Sequence, residues 1–214
     1  MTVDQSERGN ARHEQAASTR RQLLEAARAV FEAEGYRATT VGAITDRATT
    51  AHGTFYLYFR NKEDAFCQVL ESVIVDELAV TAVVPLDHAP RAAVDVGIAN
   101  FVDVYRRHTG LWRALLEGML QSPRVRQMWL DLRRDLVVQV SDTFAAEQRA
   151  GIVREFDVSL VAHSLAAMIE WSAFTHLVLG EPEPQSAPDP AALAATLSDL
   201  WNRAVYGTLA DGDA

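Results

Sequence analysis

The chain is poor in the residues that usually announce covalent or metal chemistry, with a single cysteine, Cys67, among its 214 residues. One cysteine excludes an intramolecular disulfide and any cysteine cluster for zinc. Its helical spacing beside Phe66 and Leu70 marks it as a small core residue. No early run of about 18 uncharged apolar residues occurs, nor a charged-then-apolar leader with a cleavage site. A cytoplasmic protein with no membrane partner is therefore expected. Phosphate-binding loops, Gly-x-Ser-x-Gly elbows and dinucleotide glycine patterns are all missing. None of the histidines has a glutamate three residues before it, which removes a four-helix di-iron enzyme. No catalytic residue, metal ligand or cofactor is expected, and the chain is read as a non-enzyme. His88 beside Asp87, in a proline-flanked connection, is read as a solvated pair. Strand alternation and internal repeats are absent too.

What remains is an ordinary globular composition, 49% apolar and 23% charged. The net charge of −9 is unevenly spread. Residues 1–62 hold nine Arg/Lys against seven Asp/Glu, whereas residues 63–214 hold eleven against twenty-two. A mildly basic amino-terminal segment thus precedes an acidic body.

Apolar positions keep a helical period almost throughout, which predicts an all-α chain of about nine helices. Residues 1–17 lack that period and are expected to form a flexible arm, whose Arg8 and Arg12 suit a minor groove. Thr19 and Gln22 have capping-box spacing before a helix ending at Gly35. Short helices are expected near Val41–Ala48, with Thr40 as cap, and near Ala51–Phe59. Asn61 caps a longer helix. Ser122 and Pro123 open a helix ending at Gly151, Asp157 starts one reaching about Leu179, and Asp189-Pro190 starts the last. Between the last two lies the proline-rich "GEPEPQSAPDP".

The stretch "TTAHGTFYLYFRNKEDAF", residues 49–66, crowds aromatics beside a glycine and the chain's one lysine, Lys62. Two short helices joined by a tight turn match a helix-turn-helix, whose second helix enters the major groove. That motif has two faces to satisfy, and both need particular side chains. Phe55 and Phe59 pack inward on Leu23, Ala27 and Ile44. Thr50, His52, Gly53 and Thr54 occupy the exposed helix start, Tyr56 reaches a phosphate, and Lys62 adds a point charge.

With those residues in place, "TTVGAITDRATTAHGTFYLYFRNKEDAF" resembles the amino-terminal signature of TetR/AcrR-family transcriptional regulators over residues 19–66. Thr45 stands where the pattern has alanine, and Thr49 where it has the turn glycine. A threonine strains a left-handed turn by about 1 kcal/mol. The resemblance implies DNA contacts at Thr40, Thr50, His52, Gly53, Thr54, Tyr56, Tyr58 and Lys62. It also implies three domains: an arm at 1–17, a three-helix DNA-binding domain at 18–64, and a larger helical effector-binding and dimerisation domain at 65–210.

Residues 95–207 resemble, more loosely, the branch containing the ethionamide-resistance repressor. Val158–Leu179 is apolar on nearly every side, so it must be buried on every side. With the closing helix it is expected to build a homodimeric four-helix bundle. Phe101, Tyr105, Trp112, Met119, Trp129, Leu136, Met168, Trp171 and Phe174 are candidate lining for a small hydrophobic effector. Glu170, a carboxylate in an apolar helix, needs a partner, solvent or a ligand group, and Arg133 is the candidate partner. The expected function is a repressor that binds a palindromic double-stranded operator as a homodimer and leaves when an apolar or aromatic ligand binds. The competing expectation is a DNA-binding regulator with a filled body that answers to no small molecule.

Overall fold

The computed structural model describes residues 3–78, 90–180 and 189–207. The Asp87–His88 pair and the proline-rich stretch at 181–188 lie outside them. The described residues contain no strand, and every regular element among them is a helix. In order they form α1 (Val3–Ala38), α2 (Val41–Arg47), α3 (His52–Phe55), α4 (Lys62–Val73), α5 (Pro90–Arg107), α6 (Thr109–Gln121), α7 (Pro123–Arg149), α8 (Val158–Ala173) and α9 (Pro190–Tyr206). Helix α4 runs on into a π-helical segment, Ile74–Leu78, and α8 into another, Phe174–Leu179. The chain divides into two compact units, Met1–Ser72 with Arg113–Arg126, and Val73–Trp112 with Gln127–Ala214. The first unit therefore takes in most of α4, part of α6 and the start of α7, beyond the boundary expected at residue 64.

The sequence misjudged the start. Residues 3–17, expected as a flexible arm, are helical. They are rich in Glu, Gln, Arg and Ala, which favour helix even where no apolar stripe exists to pack. Thr19 consequently lies inside α1, its hydroxyl donating to the Gln15 carbonyl at 2.9 Å, and the expected capping box does not form. Gly35 interrupts α1 with φ 77° and ψ 175°, a conformation that side chains resist.

The other helix starts follow the sequence. The Thr40 hydroxyl accepts from Ala43 N–H at 3.1 Å, and the Asp157 carboxylate accepts from Leu160 N–H at 2.9 Å. At α4, Asn61 Oδ1 accepts from Asp64 N–H at 2.8 Å, while Asp64 Oδ2 accepts in return from Arg60 N–H at 3.0 Å. Ser122 Oγ accepts from Val125 N–H at 3.0 Å, ahead of the Pro123 start of α7.

In the first unit Leu23, Ala27, Phe31, Ile44, Phe55, Phe59 and Phe66 are buried. Each large apolar side chain contributes about 1.5–3 kcal/mol by leaving water. Gly118 of α6 lets that helix close in, since a Cβ there would stand 3.1 Å from Val125 and 3.2 Å from Phe66. In the second unit, Ile98 and Val102 of α5 join Val137 and Phe144 of α7, Ala162, Leu165 and Ile169 of α8, and Leu193, Leu197, Trp201 and Val205 of α9. The first π segment is tied to α5, because Asn100 Nδ2 donates to the Glu77 carbonyl at 2.8 Å. The Glu77 carboxylate also faces Arg107 and, at 3.1 Å, the buried ring of His108.

Candidate nucleic-acid interface and candidate effector site

The reading head sorts its aromatics as the two-faced motif requires. Phe55 and Phe59 are buried, their rings 5.2 Å apart, while Tyr56 is 53% exposed. The exposed His52 ring meets Tyr56 edge-on at 5.6 Å. Thr54 and Tyr58 are half-buried. Thr40 is exposed, although its hydroxyl already caps α2. The Thr50 hydroxyl is buried without a hydrogen-bond partner. Gly53 is exposed, and a Cβ built on it would meet nothing within 4 Å. No internal crowding accounts for glycine there.

Lys62 faces inward. Its ammonium donates to the Tyr36 carbonyl at 2.8 Å and the Arg37 carbonyl at 3.3 Å, and it lies 4.8 Å from the Tyr36 ring centroid. The final carbonyls of a helix lack partners, and a cation supplies them. Burial lowers the Lys62 pKa, and nearby Glu117 opposes that shift. Glu117 grips the same segment from α6, accepting from Arg37 N–H at 3.0 Å. A Cβ on Gly35 would stand 2.9 Å from its Oε2. Asp64 completes the frame by pairing with Arg124 at 2.7 Å. Burial alone raises the Asp64 pKa, yet the Arg60 N–H and the Arg124 guanidinium hold it below the ordinary value. The Glu117–Arg37 and Asp64–Arg124 pairings are not visible in the sequence because their members lie 60 to 80 residues apart.

In the second unit Phe101, Tyr105, Trp112 and Trp129 form a continuous aromatic run. Successive centroids are 4.7, 4.2 and 6.1 Å apart, with Tyr105 and Trp112 nearly parallel. Tyr105 and Trp112 are buried, and the Trp112 indole N–H has no hydrogen-bond partner. An unpaired buried donor costs about 1–3 kcal/mol. Arg133 Nε donates to Glu170 Oε2 at 2.7 Å, with both side chains 22% exposed. Burial raises the Glu170 pKa despite the opposing guanidinium. Burial, reinforced by Glu170 and opposed by Arg133, also raises the Tyr105 phenol. An ion pair therefore lies within electrostatic reach of the aromatic run.

Leu136 and Met168 are half-buried. Trp171 departs from the expected lining: it is 65% exposed and stacks on Phe174 at 5.7 Å. Met119 belongs to the first unit, where its carbonyl accepts from Arg126. His163, seven residues before Glu170 on the same helix, is exposed and bonds the Ser159 carbonyl.

Residues 23–67 match the model of the tetR family of bacterial regulatory proteins. Residues 94–207, more than half of the chain, match that of the C-terminal domain of the transcriptional regulator EthR. The chain belongs to the TetR family. It is a DNA-binding transcriptional regulator. The HTH-type transcriptional regulator EthR of Mycolicibacterium smegmatis is 27% identical over 195 residues, covering 90% of this TetR-family chain and 88% of that protein. Two solved structures share the fold. FadR of Bacillus subtilis, in complex with stearoyl-CoA, has a TM-score of 0.67 and 20% identity over 88% of this chain and 98% of its own. The complex with triclosan of SmeT, repressor of a Stenotrophomonas maltophilia multidrug efflux pump, has a TM-score of 0.71 and 23% identity over 91% and 93%.

Proposed function

We propose that this regulator is a cytoplasmic repressor that binds a palindromic operator as a homodimer and is released by a small apolar or aromatic effector. The observation that carries the effector half is the aromatic run ending at the buried, unpartnered Trp112 N–H, with the Arg133–Glu170 pair nearby. A flat apolar molecule gains stacking area there, and an acceptor on it recovers the cost of the unpaired donor. That the structural relatives SmeT and FadR form complexes with triclosan and stearoyl-CoA supports an apolar ligand. The carbonyl and carboxylate groups around the head favour a role for Lys62 in building it, and the Thr50 hydroxyl is buried, so the DNA contacts rest on Thr40, His52, Gly53, Thr54, Tyr56 and Tyr58.

The homodimer is supported by α8. Leu160, Ser164, Ala167 and Trp171 are exposed at helical spacing along it, and Leu200 of α9 is 47% exposed. Val158–Leu179 is apolar and long enough, by composition, to cross a membrane. A second copy of the chain covers such a face equally well, and a two-fold dimer suits a palindromic operator whose half-sites lie one helical turn, roughly 34 Å, apart. An effector with a differential affinity of about 1–3 kcal/mol between the two states suffices for release.

The test is a footprint of the purified chain on DNA upstream of its own gene, repeated with triclosan, stearoyl-CoA and a panel of neutral arenes. The expected result is a two-fold-symmetric footprint that at least one ligand removes. Protection that no ligand alters supports the second reading, a regulator with a filled body. The 4.2 Å stacking of Tyr105 on Trp112 favours that reading.

A further inference from the structure

We infer that Thr49 is an additional DNA contact, its hydroxyl donating to a phosphate oxygen of the operator backbone. Between residues 39 and 54 the chain has six threonines, and their hydroxyls divide into two groups. Thr39 donates to the Gly35 carbonyl at 2.6 Å, Thr40 caps α2, and Thr45 donates to the Val41 and Gly42 carbonyls at 3.1 and 3.0 Å. Thr49, Thr50 and Thr54 make no side-chain hydrogen bond among the described residues. The idle hydroxyls are those of the turn and of the reading helix. Thr54 is already assigned to the DNA and the Thr50 hydroxyl is buried; Thr49 is the third, and its side chain is exposed.

Thr49 is also held in a conformation its side chain resists. Its φ of 52° is the only positive value at a non-glycine among the described residues, and β-branched side chains are rare there. The surroundings enforce it. Gln22 Nε2 donates to the Ala48 carbonyl at 2.8 Å, Thr49 N–H to the Asp46 carbonyl at 3.1 Å, and Thr50 N–H to the Thr45 carbonyl at 3.0 Å. Strain of this kind persists where neighbouring bonds over-determine the backbone, and it concentrates at functional sites. Glycine would occupy the position without strain. The threonine side chain is exposed, so it gives the fold no burial in return. Thr49 stands three residues before His52 in an amino-terminal head whose family binds DNA, and threonine hydroxyls are common donors to phosphate.

The experiment uses the full chain and a duplex selected from a randomised pool by the wild-type protein. Thr49→Gly, Thr49→Ala and Thr49→Ser are compared for urea midpoint, operator affinity and salt slope. Thr49→Gly should raise the midpoint. Thr49→Gly and Thr49→Ala should both lose roughly ten- to hundredfold in affinity, the size of one hydrogen bond to a charged acceptor. The loss should be the same across operator variants, with the salt slope unchanged because no counterion is released. Thr49→Ser, which keeps the hydroxyl, should bind like the wild type. Thr49→Ala binding as tightly as the wild type, or Thr49→Ser losing as much as Thr49→Ala, overturns the inference. A loss confined to certain base pairs overturns the assignment to phosphate.

Discussion

The Glu117 carboxylate accepts from the backbone N–H of Arg37 at 3.0 Å while lying against Gly35, so α6 holds the turn through which the chain enters the helix-turn-helix. Glu117→Ala should cost about 1–3 kcal/mol of stability, read as a lower urea midpoint, because a charge-assisted bond is lost. Gly35→Ala should cost a similar amount, from its positive φ and from the approach of the new Cβ to Glu117. Combined, the two substitutions should cost less than their sum, since Glu117→Ala removes the obstacle. Strict additivity would show that the two residues do not meet.

Lys62→Met keeps the aliphatic stem but removes the donors to the Tyr36 and Arg37 carbonyls. Stability should fall by about 1–3 kcal/mol, with the salt slope of operator binding unchanged. A slope lower by about one would instead place the ammonium on phosphate.

Gly53→Ala meets no obstacle within the chain. Helix propensity should therefore raise stability by about 0.5–1 kcal/mol. Operator affinity should fall, because the added methyl group occupies the space where the duplex approaches. Thermal melting and a binding titration on the same sample check both signs; unchanged affinity would remove Gly53 from the interface.

Burial raises the folded pKa of Glu170 above its unfolded value, so its ionised form weighs against folding at neutral pH and the cost fades as pH falls toward that raised pKa. Removing the guanidinium enlarges the effect. Arg133→Ala should lose up to about 3 kcal/mol at pH 7.5 and recover part of it at pH 5.5. Glu170→Gln in the same background should abolish the recovery. Denaturation curves at the two pH values decide.

The helix order was legible because apolar spacing, caps and glycine stops are local signals. Thr40, Asp157 and Pro123 show this, each opening the helix its neighbourhood predicts. The arm was misread because absence of an apolar stripe says where a helix packs, not whether it forms. Lys62 shows a different limit. A lone cation beside a reading helix suggests phosphate, while the carbonyls it serves belong to a helix end 25 and 26 residues earlier. Trp171 shows a third limit, since a helix apolar all round does not reveal which side meets its own core.

The π-helical segment after α8 has a consequence for how this chain tolerates changes in length. A π turn absorbs one residue more than the α turn it replaces, and the flanking faces keep their phase. The stretch from Phe174 to Leu179 thus behaves as a splice, where an extra codon is stored without disturbing Ile169 before it or Val178 near its end, both of which stay in the core. Deleting Thr175 should turn the π segment into α-helix and leave the same fold, whereas the same deletion within α5 would throw Ile98 and Val102 out of register.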